Sequence, residues 1–519
     1  MPLKNQIYQF LDDMGRLCAE VSGAEPLGAQ MESMRARLRE PLRVAVVGIM
    51  KAGKSTFMNA LLGANVVYTG TKETTYTVGW FKYGEIPSIK VCFRDGETLD
   101  VPFKDMARWS IREYEKKNPR LNDVKYLIVY YPCEVLRQME FIDTPGLSSI
   151  YQKDADNTKA FLGLKSEETL QEASIADAVI YAFSRSCGAT DEEVLNAFQG
   201  SNSGAAASPI NSLGILTKAD GTGIWDIFEE PTPIEMGRRV CDTMMRDEKM
   251  KRMLFTTFPV CAKPVDGMSQ LDESQWELLE TLSRLPRERV KNLLWDAERF
   301  STSVREDFLE IAPAALRERL MQNLAQFGIL QLSDYLRQGV PRESMLKQLQ
   351  KDCGLDAVWQ MVSNHFGSRS FLIKTRYILN NLLAFAGKLR KAHDDNPSLQ
   401  NICGQLKDRV DELMSSCQTL NELKVLQSYY NGQVRFEQPE ELADFLAVTG
   451  EYGRSVEERL GVDGAQTVFE LERLAREKIE VWHERSSAFM LPGSYVEAAN
   501  VITRSYEYLY YHLNALNED

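Results

Sequence analysis

Nine consecutive residues, Gly48-Ile49-Met50-Lys51-Ala52-Gly53-Lys54-Ser55-Thr56, carry two glycines, a lysine and two hydroxyls at the spacing that binds a nucleoside triphosphate. Gly48, Ala52 and Gly53 let successive backbone N–H groups close around phosphate oxygens where larger side chains would intrude. Lys54 supplies a point charge, the Ser55 hydroxyl suits Mg²⁺, and Thr56 completes the pattern. Such a loop works only where a strand hands over to a helix. The apolar runs Leu42 to Val47 and Phe57 to Leu62 flank it on the correct sides.

Three further strings suit the same chemistry. Asp143-Thr144-Pro145-Gly146 follows the apolar Met139 to Ile142. There Asp143 can hold Mg²⁺ through a water, and the Gly146 N–H can approach a γ-phosphate. Thr217-Lys218-Ala219-Asp220 follows Leu213 to Leu216. Asp220 can accept from both N1–H and the 2-amino group of guanine, which favours GTP over ATP, and the Lys218 stem can lie along the base. An N-cap aspartate in an ordinary loop is the plainer reading of Asp220. Cys261-Ala262-Lys263 can close over the base, with the Ala262 N–H toward the guanine carbonyl. Between the first two strings lies Thr74-Thr75, where one hydroxyl, Thr75 by preference, can reach Mg²⁺ and the γ-phosphate only when GTP is bound. The alternative is that both simply open the strand Tyr76 to Phe81.

The elements that must position these residues are visible as alternating patterns. Strand-like runs at Arg43 to Gly48, Lys125 to Tyr131, Glu140 to Ile142, Ala178 to Ser184 and Leu213 to Thr217 alternate with helical ones. This predicts an α/β fold: a P-loop GTPase domain with a doubly wound, mostly parallel sheet over 41–300. Residues 1–40 read as an N-terminal helical segment, with Ile7, Phe10, Leu11, Met14, Leu17, Cys18 and Val21 on one face. Residues 301–519 read as a helical bundle or stalk.

The 519 residues carry a net charge of −13, which argues against a broad nucleic-acid footprint, so no nucleic-acid partner is expected. Nine scattered cysteines without a CxxC pair and no opening signal segment suit a cytoplasmic protein. No apolar run is long enough to span a bilayer, so any membrane contact is expected to be peripheral. Candidate contacts are Phe489-Met490-Leu491-Pro492-Gly493 and the stretch Leu382 to Lys391, with core packing as the alternative. Tyr506, Tyr508, Tyr510 and Tyr511 are expected to pack within the bundle.

Taken together, GIMKAGKSTFMNALLG, the threonine pair, DTPGLSS and TKAD resemble the dynamin superfamily of large GTPases, particularly the bacterial dynamin-like proteins. The long interval from Ser55 to Asp143 is similar to that of dynamins. The resemblance implies binding and hydrolysis of GTP to GDP with Mg²⁺, and a nucleotide-dependent homodimer or higher oligomer. It also implies coupling to membrane remodelling, and an N-terminal helix packed with C-terminal helices as a neck. A helix docked on the GTPase domain is the alternative for that segment.

Two departures bear on turnover. Met50 stands where fast dynamins place a glutamine, and Leu147 stands where small GTPases carry one. All four histidines, His365, His393, His483 and His512, lie beyond the GTPase domain. Lys51 occupies the position of the internal arginine finger in guanylate-binding proteins, so its ammonium can neutralise phosphate charge; a solvated loop lysine is the alternative. A slow GTP-dependent regulatory switch, whose helices bind a protein partner without a membrane role, is therefore the second reading. An ATPase is the third.

Overall fold

A computed structural model describes residues 3–49, 51–67, 77–110, 114, 117–143, 176–184, 211–221, 223–228, 231–430, 432–453, 455–462, 464, 466–487 and 491–517. Of the expected site residues, Thr75 and Gly146 lie outside these, as do Thr74, Thr144, Pro145, Met50, Leu147 and the pair Phe489-Met490.

Among the described residues nine strands form one sheet, ordered β4-β3-β5-β2-β6-β1-β7-β8-β9. They are β1 Leu42–Val47, β2 Val78–Tyr83, β3 Ser88–Phe93, β4 Thr98–Pro102, β5 Val124–Tyr131, β6 Met139–Asp143, β7 Ala178–Phe183, β8 Ser212–Leu216 and β9 Thr256–Pro259. From β6 to β9 every neighbouring pair is parallel, with Val46 opposite Asp143 and Val47 opposite Tyr181. These strands are apolar almost throughout because both faces are covered: β6, β7 and β8 are buried at every position. Parallel order brings the carboxyl ends of β1, β6, β8 and β9 to one edge, where the four motifs leave the sheet. The other wing is mixed, with β2 antiparallel to β6 and β3 antiparallel to both β4 and β5.

The apolar core around the sheet does not stop at residue 300. It runs from Leu42 through Phe300, Leu320, Leu332 and Leu355 to Ile373. The helix Ala314–Arg337 lies so close on the helix Ala262–Met268 that a Cβ on Gly267 would collide with the Asn323 carbonyl.

A second apolar cluster joins α1 (Leu3–Ala19) and α2 (Glu25–Arg39) to the later helices Ser368–Ala392 and Pro397–Ser416. Ile7, Phe10, Leu11, Met14 and Cys18 are buried there beside Ile378, Leu382, Leu399 and Ile402. The run Leu382 to Lys391 falls within this packing, with Leu382 and Ala386 buried.

A third cluster holds Phe445, Trp482, Ile502 and Tyr506 between the C-terminal helices, including the pair Val468–Ser486 and Gly493–Asn517. Of the four tyrosines expected to pack, Tyr506 is fully buried, whereas Tyr508 and Tyr511 are exposed and Tyr508 stacks on His512. Their positions on the helix, two and five residues past Tyr506, turn them outward. Among the described residues no helix is long and apolar enough to cross a membrane.

Candidate functional site

The phosphate loop begins where β1 ends. Gly48 has φ 150°, and a Cβ there would strike the Ala182 carbonyl of β7, so close passage beside the neighbouring strand requires glycine. Gly53 adopts the left-handed conformation as N-cap of α3 (Lys54–Leu62), which starts the helix at the phosphate-facing lysine. Lys51, also left-handed at φ 61°, is a non-glycine residue in a conformation that the surrounding contacts must hold. One such contact is visible: the Lys218 Nζ donates to the Lys51 carbonyl at 2.9 Å. The Lys51 side chain itself is exposed.

Lys54 is buried, and its Nζ donates to the carbonyls of Gly48 and Ile49 at 3.0 Å each. Burial lowers its pKa to about 8, against the pull of the neighbouring Asp143 carboxylate. Asp143, at the end of β6, shows the reverse. Burial raises its pKa to about 7, partly offset by Lys54. Neither of its carboxylate oxygens has a hydrogen-bond partner among the described residues, although the residue is 1% exposed. A buried carboxylate without partners is costly, and such a group in a native fold calls for a ligand. Its hard oxygens, with the Ser55 hydroxyl at the start of α3, form a donor set suited to Mg²⁺ or its waters.

The base side is assembled by β8 and β9. The Thr217 hydroxyl donates to the Ala52 carbonyl of the phosphate loop and lies 3.1 Å from the Phe183 carbonyl, fastening the TKAD string to its neighbours. Asp220 follows, with its pKa raised to about 6 by burial against its own backbone N–H, Lys263 and Lys218. Lys218 bridges to Cys261, and the Ala219 N–H donates to the Val260 carbonyl at 3.3 Å, so TKAD and the Cys261-Ala262-Lys263 turn lie side by side.

Cys261 itself is wholly buried, and its N–H is taken by the Cys353 carbonyl at 3.0 Å. The turn therefore rests on a residue almost a hundred positions later. Lys263 remains outside, its pKa lowered by burial of its amine against the attraction of Asp220. Gly48, Lys51, Ala52, Gly53, Lys54, Ser55, Thr56, Asp143, Thr217, Lys218, Asp220 and Cys261 to Lys263 thus stand along one edge of the sheet.

Sequence patterns missed Cys353, whose backbone supports the base turn, because nothing local marks a carbonyl donated from a distant helix end. They also missed Asn59, a buried amide on α3. Its signal was present: it is the lone polar residue between Phe57 and Leu62.

Comparison with known proteins points the same way. Residues 44–206 match the model of the dynamin family. The isoniazid-induced protein IniC of Mycobacterium tuberculosis is 26% identical over 459 residues, covering 88% of this chain and 87% of that protein. The bacterial dynamin-like protein of Nostoc punctiforme is 37% identical over 116 residues, 20% of this chain and 17% of its own length. A solved structure of an oligomerised bacterial dynamin pair, described as a mechanism for long-range sensing and tethering of membranes, is 15% identical. It covers 99% of this chain and 74% of its own, with a TM-score of 0.32.

Proposed function

We propose that the chain is a dynamin-like GTPase, a reading supported by the match of residues 44–206 to the dynamin family, and that it binds Mg²⁺·GTP at this sheet edge and couples its hydrolysis, through nucleotide-dependent dimerisation, to movement of its helical region at a membrane. The observation that carries the reading is Asp143: a buried carboxylate without a hydrogen-bond partner among the described residues, beside the phosphate-loop lysine at a strand end facing the loop.

In this reading Lys54 exchanges its two carbonyl partners for phosphate oxygens, and the loop N–H groups share that charge. Ser55 and Thr75 would hold Mg²⁺, and Asp143 would hold its water; the ion would supply charge neutralisation to the phosphates. The Gly146 N–H registers the γ-phosphate. Asp220 reads guanine, flanked by Thr217, Lys218 and the Cys261-Ala262-Lys263 turn. Lys51, exposed beside the loop, offers an ammonium to the same phosphates. We extend the GTPase unit past 300, since the sheet's apolar core continues through Leu355 and Phe366 to Ile373.

The test is GTP turnover against protein concentration, with and without liposomes, with ATP as competitor. Specific activity that rises with concentration and with lipid supports the assembly-coupled reading, and Lys51→Ala should then lower the assembled rate. Flat, very slow turnover without liposome pelleting contradicts it and favours the regulatory switch, the reading that Met50 and Leu147 suit. ATP competing at equal affinity would remove the assignment of Asp220 to guanine.

A further inference from the structure

Asn59 is 1% exposed in the middle of α3, where its neighbours Phe57, Met58, Ala60, Leu61 and Leu62 are all apolar and buried. Stopping the helix does not require its side chain, because Gly63 does so: it is left-handed, and its N–H donates to the Asn59 carbonyl. The Ala64 N–H reaches the same carbonyl at 3.2 Å. The side chain then continues the series. Its Oδ1 accepts from the Val66 N–H at 3.0 Å and the Val67 N–H at 2.7 Å. Its Nδ2 donates to the Val67 carbonyl at 2.8 Å and to Asn65 Oδ1 at 3.0 Å.

One residue thus receives the N–H groups of 63, 64, 66 and 67, and fixes the path of the chain as it leaves the phosphate helix toward Thr74 and Thr75. The same amide therefore ties the helix that carries Lys54 and Ser55 to the exit toward the threonine pair. Only an amide supplies both the two accepted and the two donated bonds.

We propose that Asn59 is a positioning residue for GTP hydrolysis, setting where the chain starts toward Thr75 relative to Lys54 and Ser55. This rests on the reading that Thr75 acts in hydrolysis. A role of this kind is sensitive to small displacements, because catalysis depends on near-attack geometry more steeply than ground-state binding does.

The test uses the full chain with Mg²⁺, measuring kcat and KM for GTP and the Kd of GDP, which lacks the γ-phosphate. Asn59→Ala is expected to lower kcat about tenfold or more while GDP affinity changes less than about threefold. The near-isosteric Asn59→Asp keeps the acceptors and loses both donated bonds; it is expected to lower kcat likewise, with GDP affinity again changing less than about threefold. Should Asn59→Ala fail to fold, Asn65→Ala, which removes a single bond to the same amide, takes its place, with a smaller loss of kcat and unchanged GDP affinity expected. Unchanged kcat, or kcat and GDP affinity falling together, overturns the proposal. Thr75→Ala separates the two claims: full activity there sinks the reading of Thr75, whereas an inactive Thr75→Ala beside a fully active Asn59→Ala sinks only the role of Asn59.

Discussion

Asp143 and Asp177 are both buried carboxylates on one sheet, at opposite ends of its parallel strands, and their surroundings differ in the one respect that separates a binding group from a structural one. Asp177, just before β7, accepts from the Arg37 guanidinium of α2 and from the Arg43 N–H at 2.8 Å. Its own N–H donates to the Arg43 carbonyl, and Asn211 donates to its carbonyl. Lys374, on the helix Ser368–Ala392, donates to the Glu40 carbonyl beside it. Burial raises the Asp177 pKa, and Arg37, Arg43 and Lys374 pull it back. Asp143 has burial and Lys54, and no hydrogen bond among the described residues. A satisfied buried charge holds elements together; an unsatisfied one is a place for a ligand.

The difference also divides the molecule. The Asp177 end joins the sheet to α2 and the helix Ser368–Ala392, tying the first forty residues and the later helices to the amino ends of the strands. The Asp143 end faces the phosphate loop. At the start of β6, Glu140 is ion-paired, its Oε1 3.1 Å from Lys82 and its Oε2 3.5 Å from Arg43, although Oε2 has no hydrogen-bond partner among the described residues.

The sharpest way to break this comparison is Asp177→Ala, which removes the buried carboxylate facing Arg37 and Lys374 and leaves Arg37 only Glu40, at 3.1 Å, as an ionic partner among the described residues. It should cost about 3–5 kcal/mol in denaturant unfolding. A loss below about 1 kcal/mol would mean that the cluster is not structural.

A smaller effect sharpens the same point through pH. Burial lowers the Lys374 pKa to about 8, from an ordinary 10.5. Between those values the unfolded chain keeps a proton that the folded chain has released, so this group adds stability as pH rises through that window. The stability difference between the parent and Lys374→Met should therefore shift in the parent's favour by about 1 kcal/mol between about pH 7.5 and about pH 9.5. A constant difference would contradict the burial of a charged amine at that joint.

Which parts of this were legible in sequence follows from the range of the signals. β1, β7 and β8 announce themselves because a strand buried on both faces is an almost unbroken apolar run; the phosphate loop follows β1, the TKAD string with Asp220 follows β8, and Asp143 ends β6. β4, exposed at the sheet edge with the sequence TLDVP, and β9, four residues ending in proline, have no such run. The turn Asp95-Gly96 between β3 and β4 was the readable clue to that hairpin. The pairing of Arg37 with Asp177 spans 140 residues, and no local pattern encodes a contact at that separation. The core's continuation past Phe300 was hidden for a different reason. The helices that follow look like those of any bundle, and the tight seat of Gly267 against Asn323 shows that the helix Ala314–Arg337 packs on the helix that begins at the base turn.

The most direct measurement of the central claim is a titration of GTP into Asp143→Asn and the parent, with and without Mg²⁺, alongside unliganded unfolding of both. The account predicts that Mg²⁺ strengthens GTP binding at least about tenfold in the parent and hardly at all in the variant. It also predicts that unliganded stability moves by no more than about 1 kcal/mol, because no hydrogen bond among the described residues is lost. A variant that keeps the full Mg²⁺ effect, or that unfolds as readily as Asp177→Ala, would contradict it.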